Sequence, residues 1–190
     1  MLPLKHWMLA TFFGWLLGIF LLIGLSGLLD SVGIDNMQFY IGLGMGAGVG
    51  FAQWRVLRVA IGMDKIWFLS SAIGIGLPFF AFDLIRLFTG HALGSWYIPV
   101  SILLASTLCG LVQQGVLLRM GFRARTWVFI CISGWVLAAL TVLRMDYLKH
   151  ISDNRWIMFS VNLFLILFGG VVLGWITGLV LTRIINSYKP

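Results

Sequence analysis

The chain has 190 residues, of which 61% are hydrophobic and only 10% are charged, and its mean hydropathy is +1.02. Soluble domains carry about 25% charged residues, so this composition excludes an ordinary soluble protein. The formal net charge is +7 and glutamate is absent. Because the arginines cap apolar runs instead of forming a stripe, we attribute the positive charge to membrane topology and do not expect nucleic acid as a partner.

Apolar runs along the chain are close to the roughly 20 residues that cross a bilayer core of about 30 Å as an α-helix. We expect the first run to be a retained span, since it is too long for the apolar region of a secretory signal. The sequence therefore predicts an all-α, polytopic membrane bundle that forms one transmembrane domain over residues 1–190. Its six predicted spans lie near residues 7–29, 39–56, 66–88, 97–118, 127–143 and 157–185.

Basic residues are distributed unequally between the two ends of these spans. One side carries nine of them: Lys5, Arg55, Arg58, Lys65, Arg119, Arg123, Arg125, Arg183 and Lys189. The opposite side carries four: Arg86, Arg144, Lys149 and Arg155. Since cytoplasmic loops are enriched in Lys and Arg, we expect both termini in the cytoplasm. The membrane would be a bacterial inner (plasma) membrane or another energy-transducing membrane.

Aromatic residues stand at the ends of the predicted spans. They are Trp54, Trp67 and Trp127 on the basic side and Trp96, Tyr97 and Trp156 on the other. Because amphipathic rings prefer the membrane–water interface, we interpret them as interfacial anchors in preference to a ligand cage.

A polar helix ending occurs twice, as "GFAQWRVLR" at 50–58 and "GLVQQGVLLR" at 110–119. Aligning Arg58 with Arg119 places Gln53 on Gln114. In both copies a tryptophan follows the arginine, after nine residues in one and eight in the other, and a glycine follows seven residues later: Trp67 with Gly74, and Trp127 with Gly134. The segment "GGVVLGWITGLVLTR" near the C-terminus is a weaker third copy. The pattern predicts three repeated helical hairpins.

Small residues recur every four positions in several spans, which lets helix backbones approach closely in lipid. The predicted packing glycines are Gly14, Gly18, Gly46, Gly50, Gly110, Gly170, Gly174 and Gly178. Gln53 and Gln114 continue two of these faces. They are interpreted as interhelical hydrogen-bonding groups, with ligand contact as the alternative.

Asp83 is the one acid clearly inside a predicted span, and Arg86 follows it at an ion-pair spacing. Ionisable groups in a span are candidates for function, and a structural pair at the helix end is equally consistent with their position. Just before them, Pro78 is expected to kink the helix, with Gly74 and Gly76 forming the rest of a hinge. Such interrupted helices often line binding sites in transporters.

Catalytic chemistry has little support in the sequence. The histidines His6, His91 and His150 fall in loops or helix ends, and none has a metal-ligand spacing. Cys109 and Cys131 lie inside spans without a second cysteine at such a spacing, so we expect them to fill space. We therefore expect no enzyme activity, no metal site and no cofactor.

The segments "QWRVLR", "ATFFGWLLG" and "GWITGLVLTR" resemble a group of bacterial six-helix membrane proteins, frequent in cyanobacteria and their neighbours. Those proteins carry repeated Gln-Trp-x-x-Leu-Arg helix ends and a glycine-rich last helix. This chain departs from the pattern in the second copy, where Gly115 replaces the tryptophan. The resemblance implies an architecture and no activity.

Two functional interpretations follow. The first is a non-catalytic membrane scaffold or accessory subunit that packs against partner helices, lipid or pigment, as a homo-oligomer or with another membrane protein. The second is a small-solute binding or transport component, similar in size and span number to the membrane-embedded substrate-binding subunits of vitamin transporters. Its candidate ligand-binding residues are Asp83, Arg86, Gln53 and Gln114.

Overall fold

The computed structural model describes residues 2–34, 37–90, 93–143 and 154–187. Over these residues the fold is all-α, with a short 3-10 helix (Gly94–Trp96) and six α-helices: α1 (Leu4–Ser31), α2 (Phe39–Ile61), α3 (Ile66–Thr89), α4 (Tyr97–Arg119), α5 (Trp127–Leu143) and α6 (Arg155–Asn186). The described residues contain no β-strand. Each α-helix coincides with a predicted span, which confirms all six helices. The residues outside these ranges include Asp35, His91, Arg144, Asp146, Lys149, His150, Asp153 and Lys189.

Four of the helices, α1, α3, α4 and α6, are long and apolar enough to cross a membrane. Helix α5 is apolar but has only 17 residues. Glycines terminate two of the helices, because Gly62 after α2 and Gly90 after α3 adopt the left-handed conformation that most L residues avoid. The apolar runs thus determine where the helices lie, and these glycines stop two of them.

The six helices form a closed ring. Each packs against the helices before and after it in the chain, and α6 packs against α1. At one end of the ring, α2, α4 and α6 finish while α1, α3 and α5 begin. This end, called the basic end, carries the exposed side chains Lys5, Arg55, Arg58, Lys65, Arg119, Arg123, Arg125 and Arg183. The opposite end is called the distal end.

Helix α2 packs closely against both neighbours through two rows of glycine. Gly44 and Gly48 face α1, and Gly42, Gly46 and Gly50 face α3. A Cβ atom added at Gly42 would lie 2.6 Å from the carbonyl oxygen of Ile75. The alternating glycines of "GLGMGAGVG" therefore allow one helix to be packed between two others at backbone contact.

The other predicted packing glycines also lie at helix–helix contacts. An added Cβ would meet α2 at Gly14 and Gly18, Cys131 of α5 at Gly110, and α1 at Gly170, Gly174 and Gly178. The glycines of the expected hinge also lie at contacts, and the kink at Pro78 stays a prediction. Helix α3 continues through Pro78 from Ile66 to Thr89, while Gly74 packs on Cys109 and Gly76 on Leu43.

The distal parts of the two longest helices have few neighbours. Helix α1 has no buried residue after Gly18, and α6 has none before Gly169. A Cβ added at Gly24 or Gly27 would meet nothing within 4 Å. The ring is thus tightly packed at the basic end, and segments 19–31 and 155–168 present apolar faces to the surroundings.

Candidate ligand-binding site

Three tryptophans fill the centre of the ring at the basic end. Trp7, Trp67 and Trp127 are 0%, 0% and 1% exposed. The ring centroids of Trp7 and Trp67 lie 6.3 Å apart, and those of Trp67 and Trp127 lie 5.7 Å apart. We expected three of the buried tryptophans to be interfacial anchors: Trp67, Trp127 and Trp54, which is 8% exposed. They are instead core residues: α3 and α5 direct Trp67 and Trp127 into the ring, and the indole N–H of Trp54, on α2, donates to the carbonyl oxygen of Met63 at 3.2 Å.

Each indole of this tryptophan layer donates a hydrogen bond to the preceding helix of the ring. The Trp67 N–H donates to Gln53 Oε1 at 3.3 Å, and the Trp127 N–H donates to Gln113 Oε1 at 3.0 Å. The Trp7 N–H donates to Thr177 Oγ1 at 3.0 Å, across the contact between α1 and α6. The same type of bond therefore joins three helix pairs.

Both glutamines use their second polar atom as well. Gln53 Nε2 donates to Thr11 Oγ1 at 3.2 Å, and Gln113 Nε2 donates to Ser71 Oγ at 2.9 Å. By these contacts Gln113, and not Gln114, corresponds to Gln53. The alignment on Arg58 and Arg119 was therefore displaced by one residue in this helix.

Gln114 has a different neighbourhood. It is half-buried, and its Oε1 accepts a 3.3 Å hydrogen bond from the backbone N–H of Val128. The signal that identifies Gln113 is the spacing of Trp7, Trp67 and Trp127 at intervals of 60 residues, which was not used in the alignment.

Beyond the tryptophan layer, towards the distal end, the ring encloses a cavity of about 330 Å³. All six helices line it, and one lining residue of each is Trp15, Gly42, Ile75, Ile102, Trp135 and Ile166, in order from α1 to α6. The cavity lies about two helical turns from the tryptophan layer, since Trp15, Ile75 and Trp135 line it and each follows a tryptophan of the layer by eight residues. Its volume is within the range of ligand pockets, about 300–1,000 Å³.

Every residue that lines this cavity is apolar. The indole N–H of Trp15 is already engaged by the carbonyl oxygen of Ile166 at 2.8 Å. A polar molecule in the cavity would lose its hydrogen bonds to water without replacement. The chemistry of the cavity therefore favours an apolar occupant.

The predicted pair Asp83 and Arg86 lies outside this cavity. Asp83 is fully buried, and its Oδ2 accepts hydrogen bonds from the backbone N–H groups of Gln38 and Phe39, each at 2.7 Å. Its Oδ1 accepts from the Tyr97 hydroxyl at 2.9 Å and lies 3.8 Å from Arg86. The carboxylate thus caps the start of α2 and joins it to α3 and α4.

None of the four predicted ligand-binding residues lines the cavity. Gln53 and Asp83 make the interhelical contacts described above, Gln114 accepts a hydrogen bond from the backbone of α5, and Arg86 pairs with Asp83. Sequence reasoning missed the cavity residues, since isoleucine, alanine and tryptophan in an apolar helix carry no polar signal. Among the described residues, no three His, Cys, Asp or Glu side chains lie close enough to hold a metal ion.

The fold and the cavity define a class of protein, namely a closed ring of six helices around an apolar interior site. No protein-family model, curated protein sequence or solved structure matches this chain.

Proposed function

We propose that this chain is a non-catalytic integral membrane protein that holds an apolar molecule, of the lipid or pigment class, inside its helical ring. The observation that carries the proposal is the cavity of about 330 Å³ whose lining is entirely apolar and comes from all six helices. Such a protein acts as a scaffold or accessory subunit, because it binds and positions a molecule without transforming it.

Membrane insertion is supported by composition and by the distribution of charge. Four helices have the length and apolarity of spans, and Phe13, Phe20, Phe129 and Trp175 are among the many large apolar side chains exposed on the outside of the ring. Water is a poor solvent for such a surface. The cluster of exposed basic residues at one end favours a cytoplasmic position for that end.

The three-hairpin repeat is part of the proposal, now aligned on the tryptophans. Trp7, Trp67 and Trp127 begin the three hairpins, and the acceptors Gln53, Gln113 and Thr177 follow on their second helices. Leu57, Leu117 and Leu181 stand four residues after these acceptors, and each is 0% exposed. This agreement supports one ancestral hairpin repeated three times around the cavity.

Access to the cavity is proposed from the side of the bilayer. Segments 19–31 of α1 and 155–168 of α6 contain no buried residue, and the cavity is lined on α6 by Ile166 alone. The close contacts between α1 and α6 begin at Trp15 and continue towards the basic end. A hydrocarbon chain in the membrane therefore meets the least covered wall of the cavity.

The alternative, a polar small-solute transport component, has less support. Asp83 and Gln53 already use their polar atoms in contacts between helices, and the cavity offers no polar side chain. A vitamin or other polar metabolite would require a different site.

Thermal unfolding in detergent tests the proposed function. Decane, added as an apolar probe, is expected to raise the unfolding temperature of the wild type, since a ligand that binds only the folded state stabilises it. Ala105→Phe and Ala139→Phe fill the cavity from α4 and α5, and both are expected to abolish this increase. Stabilisation by a panel of polar metabolites but not by decane would contradict the proposal.

A further inference from the structure

The turn between α4 and α5 carries three arginines and no acidic residue. Arg119, Arg123 and Arg125 are all exposed, and none of them forms an ion pair with a described residue. From residue 97 to residue 143 the chain contains no aspartate or glutamate. Three positive charges therefore lie on one short segment of the basic end without an acidic residue in the same two helices.

The fold holds this turn in a defined conformation. Phe122 and Ala124 alternate with the arginines and are buried, at 6% and 0% exposure, in the apolar core of the basic end. The backbone N–H of Phe122 donates to the carbonyl oxygen of Leu117 at 3.0 Å and closes the turn. Because the buried residues alternate with them, Arg123 and Arg125 are presented outward, with Cα atoms at most about 7 Å apart.

The arginines of the turn lie where the apolar outer surface of the helices ends. Helix α4 ends at Arg119 and α5 begins at Trp127. The nearby side chains of Leu118 and Phe129 are apolar and 47% and 71% exposed. In a bilayer such side chains face acyl chains, so the basic residues just beyond them lie at the level of the lipid headgroups.

Guanidinium groups are well suited to bind the phosphate of a headgroup. Each presents N–H donors in a planar fork that matches two phosphate oxygens at once, and each stays charged at physiological pH. A zwitterionic phospholipid brings a cation of its own next to its phosphate, which reduces the attraction to the arginines. A phospholipid with a net negative head supplies counter-charge to the turn without this opposing cation.

We infer that the α4–α5 turn binds the phosphate groups of anionic phospholipids, and that Arg119, Arg123 and Arg125 are the donors. The inference rests on the membrane insertion that is part of the proposed function, and not on the cavity. Binding of decane in the cavity and preference for an anionic headgroup at the turn can therefore fail separately.

The turn between α2 and α3 provides an internal comparison. It carries the same number of exposed basic residues, Arg55, Arg58 and Lys65, but also the exposed Asp64. The guanidinium of Arg58 already lies over the indole of Trp54, 5.4 Å from the ring centroid. We therefore expect this turn to attract an anionic headgroup less strongly than the α4–α5 turn does.

Lipids that differ only in the headgroup test the inference. Dioleoyl phosphatidylglycerol and dioleoyl phosphatidylcholine are titrated separately into the purified protein in neutral detergent, and thermal unfolding gives their apparent affinities. We expect the anionic lipid to bind roughly tenfold more tightly at low salt, and added salt to reduce this preference. Equal affinities would overturn the inference. Inorganic phosphate is titrated in parallel, and equal stabilisation by it would overturn the inference in favour of a site for free phosphate.

Two triple variants locate the preference on the molecule. The variant Arg119→Gln/Arg123→Gln/Arg125→Gln should lose most of the preference for the anionic lipid. Its unfolding temperature without lipid should stay near that of the wild type, since all three side chains are exposed.

The matched control, Arg55→Gln/Arg58→Gln/Lys65→Gln, removes as many cations from the α2–α3 turn and should keep most of the preference. An equal loss in both variants, or no loss in the first, would contradict the assignment to the α4–α5 turn. A preserved lipid preference in a protein that decane does not stabilise would contradict the proposed function alone.

Discussion

At the scale of single residues, buried polar side chains specify how neighbouring helices meet. Gln53 and Gln113 each bridge a tryptophan of the next helix and a hydroxyl of the helix before. Their polarity inside an apolar chain was visible in the sequence, and the prediction that such glutamines bond between helices agrees with Gln53. Their partners were not visible, since a hydrogen bond between residues 42 positions apart in the chain depends on how helices pack.

The two adjacent glutamines of α4 offer a direct comparison. Gln113→Leu should lower the free energy of unfolding by about 1–3 kcal/mol, because it leaves the Trp127 N–H buried and unpaired. Gln114→Leu should cost much less, since this residue is half-buried and makes one bond of 3.3 Å. Denaturant or thermal unfolding in detergent measures both. A larger loss for Gln114→Leu would show that the assigned correspondence between Gln53 and Gln113 is wrong.

Asp83 and Arg86 are expected to differ strongly in their contributions to stability. Asp83→Leu removes the acceptor of two backbone N–H groups and of the Tyr97 hydroxyl, and should cost roughly 2–4 kcal/mol. Arg86→Gln removes a 3.8 Å ion pair from an arginine side chain that is 25% exposed, and should cost less than Asp83→Leu because the three hydrogen bonds to the carboxylate remain. Unfolding of the two variants under the same conditions compares their losses of stability. An equal or larger loss in Arg86→Gln would contradict the capping role of Asp83.

At the scale of the helices, run length and glycine spacing were sufficient to predict where each helix lies and part of how it packs. The predicted spans agree closely with the observed helices, because the length of an apolar run does not depend on what the run packs against. The row of Gly44 and Gly48 was not predicted, since a helix with two close neighbours has two small-residue faces and the four-residue spacing from Gly42 to Gly50 marks only one of them. The tryptophans were misassigned for a related reason, because an indole at a helix end fits an interface or a core equally well by sequence.

Substitution of glycine by leucine tests the packing of the helices. Gly50→Leu and Gly174→Leu should lower the unfolding temperature substantially, because an added Cβ would contact Ser71 or lie 3.1 Å from the Cβ of Thr11. Gly115→Leu in α4 is the matched control, as a Cβ there meets nothing within 4 Å. It should be neutral or slightly stabilising, since leucine has the higher helix propensity. Wild-type stability in both Gly50→Leu and Gly174→Leu would contradict the close contacts.

At the scale of the whole molecule, closure of the ring creates the cavity. The contact of α6 with α1 joins the first and last helices of the chain, and run lengths alone do not specify it. The regular spacing of Trp7, Trp67 and Trp127 is the sequence feature that agrees with the proposed three-hairpin repeat. The cavity itself has no sequence signal, since its residues are the ordinary side chains of apolar helices.

Native mass spectrometry of the protein released from gentle detergent tests most directly the claim that the ring holds an apolar molecule. We predict that the wild type retains one equivalent of a hydrophobic small molecule. Ala105→Phe, which fills the cavity while the rest of the surface is unchanged, should retain none. The same bound molecules in equal amounts on the wild type and on a folded Ala105→Phe would contradict the account, because they would then bind outside the ring.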